Sequence, residues 1–176
     1  PYTTLFRSGR IYGVQWRRWR SPMADDLHPI GDGVGNYARV QNTDQLADLV
    51  EGMLADPYGR RHIVTAWNPG ELGVMCLPPC HVLFQAYVEP AAGGLMHVDL
   101  RVDMRSVDLF LGLPFDIASY ALLQRLLAEQ LWQGDSKSRR WVPRWLVFQL
   151  GDAHVYNNHV QQVRTVLGRE PLDPPG

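Results

Sequence analysis

The 176-residue sequence predicts a single domain of mixed helices and strands. Three observations predict it. Strand-like runs recur at residues 62–67, 81–88, 95–104 and 145–150, the second and third alternating with the period of strands and the last apolar. Apolar residues at helical spacing fill 42–55 and 115–132. A hydrophobic content of 45% and a charged content of 20% suit a packed core under a polar surface. The net charge of −1 gives no overall attraction to nucleic acid or to an anionic membrane, and no apolar run reaches spanning length. Neither partner is expected. Two cysteines, Cys76 and Cys80, are too few for a disulfide framework and lack the second Cys/His pair of a zinc site. No metal and a reduced, cytoplasmic setting are expected.

Residues 1–8 carry little pattern. Gly9 to Trp19 is dense in aromatics and arginines and reads as the glycine-punctuated edge of a ligand pocket, and Ser21 to Asn36 reads as a loop. The helix over 42–55 has Thr43 as its N-cap and Leu46, Leu49, Val50, Met53 and Leu54 on one face. Asp56-Pro57 ends it. Arg60 and Arg61 open the next strand. From the pair alone, solvated surface charge is the simpler reading, and a bound phosphate the other. Residues 89–94 read as a hairpin connection. In the run 95–104, Met96, Val98, Leu100 and Val102 oppose Leu95, His97, Asp99 and Arg101, so one face is wet. A turn at Gly112 to Pro114 leads into the helix 115–132, with Asp116 at its start, where a carboxylate can simply cap the helix. Residues 133–143 read as a polar loop. A turn at 151–156 enters a helix reaching about Leu167, with Gly168 as C-cap, and 168–176 is a proline-rich tail.

The most distinctive stretch is Leu77-Pro78-Pro79-Cys80-His81. Two prolines bar helix and stiffen the approach to a cysteine at the mouth of a strand. That suits a nucleophile whose attack angle matters. The alternative is a small buried hydrophobe, the common fate of a free cysteine.

Several segments together resemble the thymidylate synthase family, which includes the pyrimidine nucleotide hydroxymethylases. They are 60–68 (RRHIVTAWN), 77–81 (LPPCH), 105–108 (RSVD), 110–115 (FLGLPF), 117–120 (IASY) and 151–156 (GDAHVY). The resemblance runs from about Gly9 to about Pro175. It implies a homodimeric α+β fold with a large bent mixed sheet, the dimer forming through the sheet. It implies a Cys80 thiolate that adds to C6 of a pyrimidine nucleoside monophosphate, after which C5 takes a one-carbon unit from 5,10-methylenetetrahydrofolate. The thiolate needs nearby positive charge, which phosphate-binding arginines can supply. By the resemblance, Arg105 and Ser106 hold the phosphate, and Arg60 and Arg61 reach the partner subunit's phosphate. His154 and Tyr156 bind the sugar hydroxyl, and His81 belongs to the nucleotide site. Tyr12 matches an active-site tyrosine, and Asp108 and Gly112 lie where the folate ring stacks.

Two departures from the family pattern carry further expectations. Thymidylate synthases have asparagine where this chain has Asp116, and the family's cytidylate hydroxymethylases have aspartate. A carboxylate accepts from the cytosine N4 amine, so dCMP is the expected nucleotide and hydroxymethylation the expected reaction. Methylation of dUMP or dCMP, and nucleotide binding or dimer formation without catalysis, are the alternatives. The chain also has no match for the family's N-terminal glutamate, arginine loop and folate-packing tryptophan, nor for its C-terminal closing segment. The expectation is a chain shortened at both ends, with residues 1–8 as foreign sequence.

Overall fold

A computed structural model describes residues 10–22 and 40–171. Ser21 and Pro22, expected in the loop 21–36, are strand residues paired with Gln41 and Val40; the rest of that loop, residues 1–8 and the tail beyond Pro171 lie outside the described residues. The order is α1 (Gly13–Arg17), β1 (Trp19–Pro22), β2 (Val40–Thr43), α2 (Gln45–Ala55), β3 (Ile63–Thr65), β4 (His81–Ala91), β5 (Leu95–Asp108), α3 (Gly112–Gly134), β6 (Arg140–His154) and α4 (Val160–Leu167), with short 3-10 turns between some of them. β1 and β2 form an antiparallel pair. The main sheet has the order β3-β4-β5-β6. Its first two pairings are antiparallel, and β5 and β6 are parallel, joined by the α3 crossover. The sheet is therefore mixed and open.

Alternation decides which face is covered. Phe84, Ala86 and Val88 on β4 and Val98, Leu100 and Val102 on β5 are buried. α3 lays Tyr120, Gln124, Leu127, Ala128 and Leu131 on them, the spacing of one helical face. Gln124 is the polar member. Its amide donates to Val98 O at 2.7 Å and Trp145 O at 2.8 Å, while Trp145 N donates to Asp99 Oδ1 at 2.9 Å. These bonds satisfy backbone groups where the β5–β6 register shifts between Val98 and Leu100. The wet face predicted for β5 is the one left outward. No helix of the described residues is long and apolar enough to cross a membrane.

Several boundaries differ from expectation, each for a local reason. α2 is capped by Asp44, whose carboxylate accepts from Ala47 N at 3.1 Å, and Thr43 lies in β2 opposite Trp19. β3 is only three residues long. β4 runs on to Ala91, which reduces the connection to a turn in which Gly93 and Gly94 have φ of 72° and 78°. β5 continues to Asp108, so Arg105 and Ser106 are strand residues. α3 begins at Gly112 rather than 115, because Pro114 falls in the first turn, where its missing N–H is no loss. β6 takes in part of the predicted 133–143 loop and passes through Pro143, which an edge strand tolerates. It also runs on through the predicted turn as far as His154. α4 starts only at Val160, and Gly168 is its C-cap.

Candidate active site

Cys80 sits at the base of β4, held from three sides. Its N–H donates to the Tyr12 hydroxyl at 3.0 Å, and its carbonyl accepts from Arg105 N at 2.9 Å. The Arg105 guanidinium donates to Pro79 O at 3.1 Å and to Pro78 O at 2.7 Å. The stiff Pro-Pro approach read from the sequence is thus fastened to the neighbouring strand by a cation. Across β5 and β6, Gly151 makes this close approach possible: a Cβ there would meet Arg105 O at 2.6 Å.

The next residue, His81, organises a cavity of about 390 Å³ lined by Tyr12, Trp16, Asp116, Ser119, Tyr120 and Leu123 as well as itself. His81 Nε2 lies 3.2 Å from Asp116 Oδ1, and His81 Nδ1 lies 3.2 Å from the Tyr120 hydroxyl. Burial pulls the imidazole below its ordinary 6.5, against the raising effect of Asp116. A neutral imidazole has one donor and one acceptor. The carboxylate can only accept, so Nε2–H donates to Asp116 and Nδ1 accepts from Tyr120 O–H. Burial also holds both Tyr12 and Tyr120 protonated above their ordinary 10.0. The rings of Tyr12 and His81 meet edge to face at 5.2 Å.

Asp116 does not cap α3. The helix starts four residues earlier, and no carboxylate stands in its first turn. Asp116 projects from the second turn, 22% exposed, with one oxygen toward His81 and the other near the Gly112 backbone. The residue that steadies the loop before α3 is Asp108, whose Oδ1 accepts from Phe110 N at 2.9 Å and Leu111 N at 3.3 Å. Capping is therefore excluded as the explanation of Asp116.

Comparison with known proteins shows the family. A family model described as Thymidylate synthase matches residues 5–176. The chain belongs to the thymidylate synthase family. It is similar to a probable thymidylate synthase of Escherichia phage T5, 42% identical over 175 residues, covering 95% of this chain and 58% of that protein. It is also 42% identical to a thymidylate synthase of Listeria monocytogenes (strain EGD-e) over 163 residues, covering 93% of this chain and 43% of that protein. The chain thus spans roughly half the length of these relatives.

The other residues singled out by the family resemblance fall into two groups. Ser106 pairs with Asp152, and Asp108 with His154, across β5 and β6. His154 meets Tyr156 edge to face at 4.9 Å, and its Nδ1 lies 3.2 Å from Asp152 O. Gly112 backs onto both Asp108 and Asp116. These residues share the strand ends around Arg105. Arg60 and Arg61 stand apart. Both are exposed, and Ile63 pairs with Gln85, which sets Arg61 level with Tyr87. That is seven residues along β4 from Cys80, about 23 Å at strand rise. Arg61 borders a separate cleft with His62 and Asp56. No group of three His, Cys, Asp or Glu side chains able to hold a metal is present among the described residues.

The pocket edge expected over Gly9 to Trp19 supplies Tyr12 and Trp16 to the wall, whereas the helix periodicity places Tyr120 in the core and gives Ser119 no role. A signal was available. Asp116, Ser119, Tyr120 and Leu123 follow the i, i+3, i+4, i+7 spacing of one helix face, so whatever faces Asp116 also faces Tyr120. Tyr12 was found, but its backbone was not. It has φ 43°, the left-handed region that a tyrosine enters at a cost of about 1–3 kcal/mol.

Proposed function

We propose that this chain performs folate-dependent one-carbon transfer to C5 of a pyrimidine nucleotide, with dCMP as the nucleotide and hydroxymethylation as the outcome. The observation that carries the reading is Asp116, an acceptor-only carboxylate in the cavity wall beside the Cys80 strand, with His81 donating to one oxygen and no helix-capping duty. A cytosine presents its N4 amine as donor to such a group, and a proton shared with N3 completes the pair. Uracil presents O4, acceptor against acceptor.

In this reading the Cys80 thiolate adds to C6 and makes C5 nucleophilic. Arg105 and Ser106 bind the phosphate, and Arg105 also fastens the Pro78-Pro79 approach to Cys80. His154 and Tyr156 bind the sugar hydroxyl. His81 orients Asp116, and Tyr12 holds the Cys80 backbone. 5,10-methylenetetrahydrofolate supplies the one-carbon unit when bound. The bare Gly112 backbone between Asp108 and Asp116 suits a flat ring, so Asp108 and Gly112 would border it. Arg60 and Arg61, remote from their own Cys80, serve the phosphate of a partner subunit in a homodimer.

A second reading is methylation of dUMP, which the names of the phage and Listeria relatives favour. Mass spectrometry of the products from dCMP, dUMP and CMP with methylenetetrahydrofolate separates the two, since the hydroxymethyl product carries one more oxygen than the methyl product. A 5-fluoropyrimidine nucleotide should form a covalent adduct with the parent and with Cys76→Ser, and none with Cys80→Ser. An adduct on the Cys80→Ser protein would overturn the mechanism, and a methylated product from dUMP alone would overturn the assigned substrate and outcome.

A further inference from the structure

We propose that Glu71 is a positioning residue for Cys80, acting through the turn that carries Tyr12. The inference rests on the reading of Cys80 as nucleophile for its importance, but not for its geometry.

Two ties join the segment before Cys80 to the segment around Tyr12. One is the Cys80 N–H bond to the Tyr12 hydroxyl. The other is a half-buried polar cluster built on Glu71. Both of its carboxylate oxygens accept from Arg10 Nε at 3.2 Å, and Oε2 also accepts from Gln15 Nε2 at 2.6 Å. Gln15 is 0% exposed. Its amide nitrogen donates to Arg10 O as well, its amide oxygen accepts from Asn68 Nδ2 at 3.3 Å, and its backbone carbonyl accepts from Gln45. The Arg10 guanidinium reaches forward to the Arg18 carbonyl. Arg20 adds a longer ion pair to Glu71 at 3.8 Å.

The cluster brackets Tyr12 on both sides, through Arg10 before it and Gln15 after it. Left to itself a tyrosine leaves φ 43° for the ordinary negative region. That rotation would swing the phenol away from Cys80. A buried polar group whose partner is removed is costly, so the buried Gln15 amide and the Arg10 guanidinium each lose a hydrogen-bond partner when the carboxylate goes, and the strained turn between them loses a shared anchor. Neither Glu71 nor Gln15 lines the cavity, so Glu71 acts through Tyr12 and not on a ligand.

Amide hydrogen exchange at Cys80 reads this directly in the protein as it stands. Glu71→Gln should speed exchange of the Cys80 amide by about fivefold, the equivalent of one hydrogen bond of about 1 kcal/mol. Tyr12→Phe should do the same, and the double variant should add nothing further. The amides of Phe84 and Val102 should stay slow in all three. In a Cys76→Ser background, the pH midpoint of Cys80 alkylation should move in the same direction in Glu71→Gln and Tyr12→Phe. Cys80 exchange unchanged in a folded Glu71→Gln protein, or fully additive effects in the double variant, would overturn the proposal. If Glu71→Gln does not fold, Arg10→Gln removes the other half of the tie and must give the same result. Protection of Cys80 from alkylation by nucleotide tests the proposed function separately, and its failure would leave the coupling between Glu71 and Cys80 standing.

Discussion

Two aspartates near opposite ends of α3 show how a carboxylate is made structural or left available. Asp135, just past the helix, has a side chain only 2% exposed. It accepts from Arg139 Nε at 2.6 Å, Trp141 Nε1 at 2.7 Å and Lys137 N at 2.8 Å. Although burial alone would raise its pKa, these donors hold it down to about 2. Asp116, in the second turn, is ten times more exposed and has one protein donor among the described residues, His81. The first carboxylate is saturated and locks the α3–β6 turn. The second faces a cavity with acceptor capacity unspent. Burial with full hydrogen bonding makes a charge structural, and partial burial with partial bonding leaves a carboxylate able to accept from a ligand.

The comparison can be broken at several points. The largest stability effect belongs to Asp135→Asn, which strips a buried ion pair and should cost about 3 kcal/mol in urea unfolding. The ratio of dCMP to dUMP affinity should stay put. Acid adds a sign. The Asp135 carboxyl is depressed below its ordinary 3.8, so its stabilisation is present above that pH and drains away as pH falls toward about 2. The asparagine variant should lack that limb of the acid titration.

Asp116→Asn should do the reverse. Its stability should change by less than about 0.5 kcal/mol, as for surface-like positions. Its dUMP affinity should rise relative to dCMP by about ten- to hundredfold, since an acceptor–acceptor clash of about 1–3 kcal/mol is removed. Dissociation constants of both nucleotides for both proteins decide it, and an unchanged ratio would mean that Asp116 does not read the base.

A smaller effect is expected at Tyr120→Phe. It removes the O–H that donates to His81 Nδ1 and should cost about 1 kcal/mol. Nitrogen chemical shifts of His81 should report the Nε2–H tautomer in the parent and a mixture in the variant. The smallest signal is the His81 titration. Because burial lowers its folded pKa below 6.5, the unfolded chain takes up the proton first, and stability should decline slightly as pH drops through that value. His81→Gln should flatten this slope.

Much of the fold and part of the site could be read without coordinates. The alternation of Phe84, Ala86 and Val88 announced a covered strand, and the Pro78-Pro79-Cys80 approach announced a rigid one, because period and φ restriction are local properties. Aspartate at 116, where thymidylate synthases have asparagine, singles out a carboxylate that the structure places in the cavity wall. Tertiary structure decided the rest. Whether Asp116 capped a helix depended on where α3 began, three residues before the sequence suggested. β6 passed through Pro143 because it lies at the sheet edge, which no window of sequence reveals. Tyr120 on His81, Arg105 on the proline carbonyls and Glu71 on Arg10 join residues 26 to 61 positions apart. Such contacts arise from sheet register and helix packing, and both emerge only when the whole chain is folded.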